Sequence, residues 1–182
     1  MLRGADSEIA QSISIEIQPT RTLPEEVQNH IGEWMHRIFA GMDVGIEWAG
    51  GDWSILVHVN GELVSHVNIV DRVVRVGGRD VRLGGIGNVA TLETWQGRGL
   101  ASIGMRTAQA FMCDELGVDF GLLLCEEDLI PFYRRLGWQV VSEPAVVDQP
   151  GGKVTLHHIV MVISCQQSEW PSGAIDLCGL PW

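Results

Sequence analysis

Two glycines flank an arginine in the segment TWQGRGLAS (residues 94–102), just ahead of a helix-like run. Glycine at 97 and 99 leaves no Cβ atom that would keep a ligand away from the backbone. The first N–H groups of a helix have no intrahelical partner and lie at the positive end of its dipole, where a phosphate binds well. Arg98 can add positive charge. The segment therefore predicts a site for a phosphate-bearing ligand, with an ordinary helix start as the alternative.

The neighbouring sequence argues against two kinds of nucleotide site. A Walker loop requires G-K-[ST] after its second glycine, and the letters GRGLAS do not contain it. The dinucleotide fingerprint requires a third glycine where Ser102 stands, and it also requires a parallel βαβ unit. Hairpins are predicted upstream of the segment instead. A phosphate ligand of another kind is therefore favoured.

The chain has a single tyrosine, Tyr133, in the stretch PFYRRLGW. A phenol held beside a reacting group can give that group a proton, which is general acid catalysis. Tyrosine is also used as an aromatic anchor in a core. The residue alone leaves both roles open.

The formal net charge of the chain is −11. A nucleic acid needs a basic face to neutralise its phosphates, so this charge argues against a nucleic-acid partner. A cleft of carboxylates attracts cations, so the charge suits a cationic ligand. The alternative is that the acidic residues serve only solubility.

The elements that must position these residues follow from periodicity and turn signals. An alternating strand (13–19) precedes a helix that we expect to begin at the N-cap Thr22 and to end at Gly41. Three strands joined by tight turns come next, because Asn-Gly at 60–61 and GGRD at 77–80 favour hairpins. These strands are predicted at residues 53–59, 62–76 and 81–92.

Helices and strands alternate in the second half. Helix 100–116 is predicted after the glycines, then a buried strand (118–125) and a short helix that ends at Gly137. Two final strands, WQVVSE and TLHHIVMVIS, are expected to be joined by a turn-prone loop containing DQPGGK. The tail (165–182) is rich in large apolar residues, so we expect it to dock on one single domain covering 1–182. This order predicts a mixed α+β sheet.

The four cysteines form no C-x-x-C pair, so we expect free thiols in a reducing cytosol and no metal site. No apolar run approaches the roughly 20 residues of a membrane helix, and the N-terminal segment lacks the apolar core of a signal peptide. The sequence therefore predicts a cytoplasmic protein without a membrane partner.

Two motifs resemble those of the GNAT superfamily of acyl-CoA N-acyltransferases. Gln96, Gly99 and Ala101 give the pattern Q-x-x-G-x-A, which is similar to the pyrophosphate loop of that family. Tyr133 to Trp138 gives the pattern Y-x-x-x-G-[FW], which resembles the end of its short catalytic helix. The order of elements agrees over nearly the whole chain. The resemblance implies an α+β GNAT fold, in which helices flank a central, mixed, mostly antiparallel and strongly twisted sheet.

The resemblance implies acetyl-CoA (coenzyme A) as the co-substrate. The strand before the loop would splay from its neighbour, so that its backbone pairs with the pantetheine arm and polarises the thioester carbonyl. Tyr133 would protonate the departing thiolate. Asn88 is the second residue that we predict to be catalytic. The residues implied to bind coenzyme A are Val89, Ala90, Thr91, Gln96, Gly97, Arg98, Gly99, Leu100 and Ala101.

Several segments look like the aminoglycoside 2'-N-acetyltransferase group: FAGMDVGIEWAGGD, GNVATLETWQGRGLAS, FYRRLGW and a tail ending in tryptophan. The tail segment WPSGAID also resembles the nodulation N-acyltransferases. Both groups act on the amine of an amino-sugar, and the first implies acetylation of an aminoglycoside and antibiotic resistance. Each ammonium group of such a polycation needs a carboxylate partner. The residues expected to bind this cationic amino-sugar are Asp43, Glu47, Asp52, Glu126, Asp176 and Trp182, the last through its terminal carboxylate.

Gly87 departs from this resemblance, since the family carries there a glutamate that relays the proton of the amine. Glu126, Asp52 or the Trp182 carboxylate would have to serve, or the amine would arrive neutral. Two alternatives stay open. One is N-acylation of another amino-sugar, a polyamine or a peptide amine, and the other is a weakly catalytic acyl-CoA or antibiotic binder. Members of the family often pair, which makes a homodimer an alternative to a monomer.

Overall fold

The computed structural model describes residues 12–39 and 45–182. The first half contains strand β1 (Ile13–Pro19), helix α1 (Glu25–Ile38) and the long strands β2 (Trp53–Val59), β3 (Glu62–Val76) and β4 (Arg79–Thr91). The second half begins with helix α2 (Leu100–Ala110), strand β5 (Phe120–Cys125) and helix α3 (Ile130–Arg134). The remaining strands are β6 (Gln139–Val141), β7 (Ala145–Gln149), β8 (Gly152–Thr155), β9 (Ile159–Ser164) and β10 (Ile175–Asp176).

The strands form one mixed sheet in which antiparallel pairs predominate. β1 to β4 are successive antiparallel neighbours. β5 pairs in parallel with β4 and antiparallel with β9, which also pairs with β6. β10 connects the end of β3 to the hairpin of β7 and β8. The predicted α+β architecture, with a mixed and mostly antiparallel sheet flanked by helices, is therefore confirmed.

β4 and β5 are paired only over part of their length. Their parallel register runs from Leu83 opposite Phe120 to Ile86 opposite Leu123. Beyond this point β4 continues to its end against β3, while β5 continues to Cys125 against β9. No strand of the described residues lies between the two diverging ends. We call this opening the β4–β5 gap.

A β-bulge marks the place where β4 leaves β5. Asn68 of β3 stands opposite Gly87 and His66 stands opposite Ala90, so two residues of β4 face a single residue of β3. Asn88, the first of the two, has φ 50°, in the left-handed region. A bulge of this kind redirects side chains and increases local twist, which places it well for shaping a site.

Two apolar clusters hold the sheet and the helices together. β5 gives Phe120 to one cluster and Leu123 to the other, because alternate side chains of a strand point to opposite faces. Met105 and Met112, on and just after α2, are fully buried in the second cluster. This packing holds α2 against the face of the sheet that carries Ile86 of β4.

The tail packs on the first cluster. Ile175 and Leu177 are fully buried, and Trp182 is only 6% exposed. Arg72 of β3 donates a hydrogen bond to the Leu180 carbonyl oxygen at 2.7 Å, and its guanidinium carbon lies 5.2 Å from the centroid of the Trp182 ring. Cation–π attraction therefore adds to the apolar contacts that hold the tail.

Three sequence predictions of local structure are wrong in detail. Thr22 does not cap α1, since its hydroxyl donates to the Pro19 carbonyl oxygen at 2.8 Å and Pro24 occupies the N-cap position. Residues 111–116, predicted as the end of the α2 helix, form a wider π-helical turn. The segment around DQPGGK, expected to be a loop, forms the β7–β8 hairpin. This hairpin joins the sheet by pairing with β10, a strand far away in the sequence, so nothing in the local sequence predicts it. Gly41 lies outside the described residues.

Cys113 and Cys165 form a disulfide, with Cα atoms 4.8 Å apart, so the prediction of four free thiols is wrong for this pair. Packing brings the π-helical turn after α2 beside the end of β9. The two cysteines are 52 residues apart in the sequence, so no local motif predicts that they pair. Cys125 and Cys178 are free. The cysteines therefore give no argument for a reducing compartment.

Within residues 12–39 and 45–182, no helix is long and apolar enough to cross a membrane. In the same ranges, no three His, Cys, Asp or Glu side chains are grouped so that they could hold a metal ion.

Candidate active site

A cavity of about 330 Å³ opens at the β4–β5 gap. Its apolar walls come from α1, from the segment before β2, from β5 and from the turn before α3, and they include Met35, Phe39, Ile46, Leu124 and Leu129. The polar or titratable side chains on its surface are Asn88, Cys125, Glu126, Tyr133 and His158. An apolar cleft with a few convergent polar groups is the usual form of a small-molecule site.

Trp182 fills the space in which β4 would otherwise carry side chains. A Cβ atom at Gly85 would overlap the Trp182 indole ring, and one at Gly87 would lie 2.8 Å from its carbonyl carbon. Trp182 itself lines the cavity, and its Nε1 donates to the Leu122 carbonyl oxygen at 3.4 Å. A side chain at position 87 would therefore collide with the tail, which occupies the place of its Cβ atom.

The end of β4 forms the other wall. Asn88 and Val89 line the cavity directly. Ala90 is buried, and its carbonyl oxygen accepts a 2.8 Å hydrogen bond from the Ser65 hydroxyl, which lies 2.8 Å from the Thr91 hydroxyl. Of the three residues predicted to hold the thioester, Val89 is thus at the cavity, while Ala90 and Thr91 continue the strand toward the glycine segment.

The glycine segment leads directly into α2. Gly97 and Gly99 have φ of 74° and 80°, in the left-handed region, and a Cβ atom on either would meet no other atom within 4 Å. Gly99 is the N-cap of α2 and no side chain caps the helix there. Leu100 is buried and anchors the first turn, while Ala101 is half-buried. No side-chain hydrogen bond therefore caps the start of α2, and no atom crowds the two glycines before it, as an anion site requires.

Gln96 and Arg98 fix the shape of the segment. Gln96 Nε2 donates to the Thr91 carbonyl oxygen at 3.1 Å, which ties the segment to the end of β4. The Arg98 guanidinium carbon lies 4.6 Å from the centroid of the Trp95 ring. Arg98 is exposed, so it leaves a positive charge beside the N-terminus of α2.

Tyr133 projects from α3 into the cavity wall and is 6% exposed. Burial, with a smaller contribution from Cys125, raises the pKa of its hydroxyl above the ordinary value near 10. No residue of the described chain hydrogen-bonds to that hydroxyl. Tyr133 is therefore a protonated donor at neutral pH whose hydroxyl hydrogen is available to a ligand in the cavity.

Cys125, Glu126 and His158 lie together where β5 ends. His158 Nε2 is 3.5 Å from Glu126 Oε1, and the ring of Trp48 contacts the His158 ring edge-on with centroids 5.8 Å apart. Burial, assisted by the charges of Glu126 and Asp128, raises the pKa of the Cys125 thiol to about 11. The thiol is therefore neutral near pH 7. Among the residues that the structure describes, Glu126 is the acidic side chain that faces the cavity.

Two other predicted substrate acids have different partners. Asp52 accepts a hydrogen bond from the Asp71 N–H at 2.9 Å, which holds the start of β2 to β3. Asp176 lies 2.7 and 2.8 Å from Lys153 Nζ, an interaction that lowers the pKa of its carboxyl. Neither residue lines the cavity.

Glu47 is exposed between two cavity residues, Ile46 and Trp48, and does not itself line the cavity. Its backbone N–H and carbonyl exchange hydrogen bonds with the Gln149 side chain, at 2.8 and 3.0 Å. Asp43 lies outside the described residues. The structure thus brings Glu126 and Trp182 to the cavity and leaves Glu47 at its edge.

A buried polar group supports the bulge from behind. His66 is 1% exposed, and its Nε2 lies 3.3 Å from the Ser54 hydroxyl, which in turn donates to Asn68. Burial lowers the pKa of His66 to about 4, against smaller opposing effects of the Asn88 backbone and the Asn68 side chain. His66 is therefore a neutral structural residue at pH 7.

Residues 44–141, more than half of the 182, match the family described as Acetyltransferase (GNAT) domain. The chain belongs to the GNAT acetyltransferase family. Comparison of the sequence with curated proteins gives no significant match.

Solved structures share the GNAT fold with this chain. An acyl-CoA N-acyltransferase from Pseudomonas aeruginosa has a TM-score of 0.59 at 21% identity, over 84% of this chain and 100% of that one. A GNAT family acetyltransferase from Brucella melitensis, solved with acetyl-CoA, has a TM-score of 0.52 at 15% identity, over 90% and 94%. Eis1 from Mycobacterium abscessus gives 0.58 at 19% identity, over 74% of this chain, which spans 33% of that longer protein.

A GNAT acyltransferase takes its acyl group from acyl-CoA, and the described residues fit that co-substrate. The gap leaves one edge of β4 without a strand partner beyond Ile86, where an extended pantetheine arm needs backbone groups. The left-handed glycines, with open space over them, and the uncapped start of α2 suit a diphosphate. The residues that would hold it are those from Gly97 to Ala101.

Sequence reasoning missed several cavity residues. His158 was not predicted, although the antiparallel register of Cys125 opposite Ile159 places His158 opposite Glu126. Trp48 also carries no motif of its own. Met35 and Phe39 of the α1 region reach the cavity through tertiary packing alone. Knowledge of the strand pairing would have found the histidine, whereas the α1 residues have no signal in the sequence.

Proposed function

We propose that this GNAT enzyme transfers the acetyl group of acetyl-CoA to an amino group of an aminoglycoside or a related amino-sugar, and so confers resistance to the antibiotic. The observation that carries the proposal is one cavity in which a protonated phenol, Tyr133, and a carboxylate, Glu126, both face the end of β4. A proton donor for the leaving thiolate and an acid for the incoming ammonium group are what this reaction needs.

The reaction would proceed by direct attack. The lone pair of the neutral amine forms the new N–C bond at the thioester carbonyl, and the backbone around Val89 stabilises the oxyanion. The C–S bond then breaks, and the sulfur takes the proton of the Tyr133 hydroxyl. The nitrogen releases one proton on becoming an amide, and solvent returns a proton to the phenolate.

Charge and aromatic surface support a cationic amino-sugar as the acceptor. Glu126 can pair with one ammonium group, and Trp48, which is 40% exposed, offers a ring face for cation–π contact. The net charge of −11 favours approach of a polycation. The sequence resemblance to the aminoglycoside 2'-N-acetyltransferases points to the same substrates.

The test measures release of the coenzyme A thiol with a thiol reagent, over a panel of aminoglycosides that differ in free 2', 3 and 6' amines. We expect turnover with at least one of them, and mass spectrometry with NMR of the product to place the acetyl group. Expression in a susceptible bacterium should raise the inhibitory concentration of the same compounds. No turnover with any member of the panel would contradict the aminoglycoside proposal.

A second candidate is N-acylation of a less polar amine. It is favoured by the apolar walls of the cavity, formed by Met35, Ile46, Leu124 and Leu129, and by the engagement of Asp52 and Asp176 elsewhere. An apolar cleft gains from burying apolar surface of the acceptor or of a longer acyl chain. Assays with aryl-alkyl amines and with longer acyl-CoA donors separate the two candidates, since only the second predicts higher kcat/KM as apolar surface is added.

A further inference from the structure

We propose that Arg72 is a positioning residue for the acceptor, because its guanidinium holds the end of the tail and, through the tail, the segment that carries Trp48. Both Trp48 and Trp182 line the cavity, whereas Arg72 does not. We call the wall that carries Trp48, Glu126 and Trp182 the acceptor wall. Its assignment to an acceptor rests on the proposed function, but the contacts of Arg72 do not depend on that assignment.

The end of the tail curls around the Arg72 guanidinium. Nη1 donates a hydrogen bond to the Leu180 carbonyl oxygen at 2.7 Å and lies 3.4 Å from the Leu177 carbonyl oxygen. The guanidinium carbon lies 5.2 Å from the centroid of the Trp182 ring. Gly179 packs so closely that a Cβ atom there would lie 2.8 Å from Nη1. One side chain therefore organises the last turn of the tail.

The tail has few other hydrogen bonds near its end. Cys178 turns the chain, with φ 54° and an N–H that donates to Asp176 Oδ1 at 3.0 Å. Beyond this turn, the hydrogen bonds that stretch 180–182 makes with the described residues are those with Arg72, Ala49 and Leu122. Loss of the Arg72 bond therefore removes a large share of what fixes this stretch.

Pro181 connects the tail to the other part of the acceptor wall. The Ala49 N–H donates to the Pro181 carbonyl oxygen at 2.6 Å. Trp48 directly precedes Ala49, and Trp182 directly follows Pro181. A shift of the tail should therefore move both tryptophans, which are the two large rings that an acceptor would meet on this wall.

The surroundings of Arg72 make its contacts strong enough for this role. The residue is half-buried, so water screens its hydrogen bond and its attraction to the indole less than it would on the surface. A hydrogen bond from a charged donor is also stronger than one between neutral groups. The Gln149 side chain holds Glu47 separately, at 2.8 and 3.0 Å. Loss of Arg72 should therefore displace Trp48 without releasing the whole segment.

The experiment compares Arg72→Met with Arg75→Met. The first keeps an unbranched apolar side chain but removes the charge and the donors. The second removes the same charge from the same strand at an exposed position, where Nε lies 3.6 Å from Asp80 Oδ1. Steady-state kinetics use acetyl-CoA and the amine that wild type acetylates best.

We expect Arg72→Met to raise the KM for the amine about tenfold, in line with the loss of a hydrogen bond from a charged donor. The KM for acetyl-CoA should not change, because the glycine segment is tied to β4 by Gln96 and not by the tail. Arg72→Lys, which keeps the charge and one donor, should recover part of the loss. Arg75→Met should keep both wild-type constants.

Amide hydrogen exchange tests the connection without catalysis. The Ala49 N–H should exchange about tenfold faster in Arg72→Met than in wild type or Arg75→Met, because its acceptor on Pro181 is no longer held in place. Gly179→Ala is a second variant, whose methyl group would crowd the guanidinium and should act in the same direction. Gly151→Ala, at an open position, is its control.

A wild-type KM for the amine together with wild-type exchange at Ala49 in Arg72→Met would overturn the inference. Equal rises in both KM values with a lower melting temperature would also overturn it, since Arg72 would then support the fold in general. If Arg72→Met does not fold, Arg72→Lys and Gly179→Ala carry the same test. If wild type acetylates no amine, the proposed function fails, and exchange at Ala49 still decides whether Arg72 positions the segment.

Discussion

The side of the cavity that we assign to coenzyme A is built from one continuous stretch, residues 87–101, whereas the side that we assign to the acceptor is assembled from six separate segments. On the first side the working groups are backbone N–H and carbonyl groups, set by a bulge at Asn88 and by two left-handed glycines. On the second side they are side chains brought from α1, the segment before β2, β5, the turn before α3, the residue before β9 and the tail. The donor side is thus a local property of the chain, and the acceptor side is a property of its tertiary packing.

This difference has a consequence for specificity. Substitutions on the acceptor side alter side chains that are not needed to shape the glycine segment. Substitutions on the donor side alter backbone geometry that any acyl-CoA requires. The chain can therefore change its acceptor while keeping its donor, and variants on the two sides should affect different kinetic constants.

The largest effect is expected for Tyr133→Phe, which removes the proton donor at the point where the two sides meet. We expect kcat to fall about 1,000-fold, since general acid catalysis contributes roughly 10²–10⁴. The KM for acetyl-CoA and the melting temperature should stay near their wild-type values, because the ring still fills its place. Steady-state kinetics with a thermal melt measure both. An unchanged kcat would reduce Tyr133 to a packing residue.

Gly99→Val sharpens the comparison on the donor side. A β-branched residue is strained at φ 80°, and its side chain would fill the space over the first N–H groups of α2. We expect the dissociation constant for coenzyme A to rise at least about 100-fold, which corresponds to a loss of about 2.7 kcal/mol of binding free energy. Gly78→Val is the matched control, because Gly78 has φ 81° and open space at the opposite end of β4. Calorimetric titration that gives equal affinities for both variants would refute the predicted diphosphate site.

The stability of the fold should depend on pH because His66 is buried behind the β-bulge. The pKa of His66 is about 4 in the folded chain and near 6.5 when unfolded, so between these values only the unfolded chain binds the proton. Stability should therefore be full above pH 6.5 and should fall by about 3 kcal/mol as pH drops to 4. Urea unfolding across this range measures the slope. His66→Gln should show a shallower slope than wild type, and equal slopes would show that His66 titrates normally.

A smaller effect is expected where the tail meets β4. Gly85→Ala places a methyl group against the Trp182 ring and should cost about 2 kcal/mol, as overpacking of a core usually does. The Gly85→Ala and Trp182→Ala double variant should lose less than the sum of the two, because the smaller side chain leaves room for the methyl group. Gly151→Ala, at an open position, is the control. Additive losses would mean that the two residues do not contact each other.

The sequence alone was sufficient for the parts that depend on local signals. Alternation and turn residues predicted the mixed sheet, and the glycine segment predicted the start of α2. The family resemblance implied a role for Tyr133 at the donor site; the residue lines the cavity with the end of β4, and its role there stays a prediction. Contacts between residues far apart in the sequence could not be predicted from local signals. The β7–β8 hairpin, the Cys113–Cys165 disulfide and the position of His158 opposite Glu126 each depend on strands that meet only after folding. The assignment of Asp52 and Asp176 to the substrate assumed that nearby acids share one cleft, but hydrogen bonds to Asp71 and Lys153 direct them elsewhere.

The most direct test of the central claim is a crystal structure of this chain with coenzyme A, together with a calorimetric titration of the same protein. We expect the pantetheine arm to lie in the β4–β5 gap beside Val89, with the diphosphate on the N–H groups that follow Gly97 and Gly99 and the thiol near the Tyr133 hydroxyl. Coenzyme A bound elsewhere on the surface, or no binding at millimolar concentration, would contradict it.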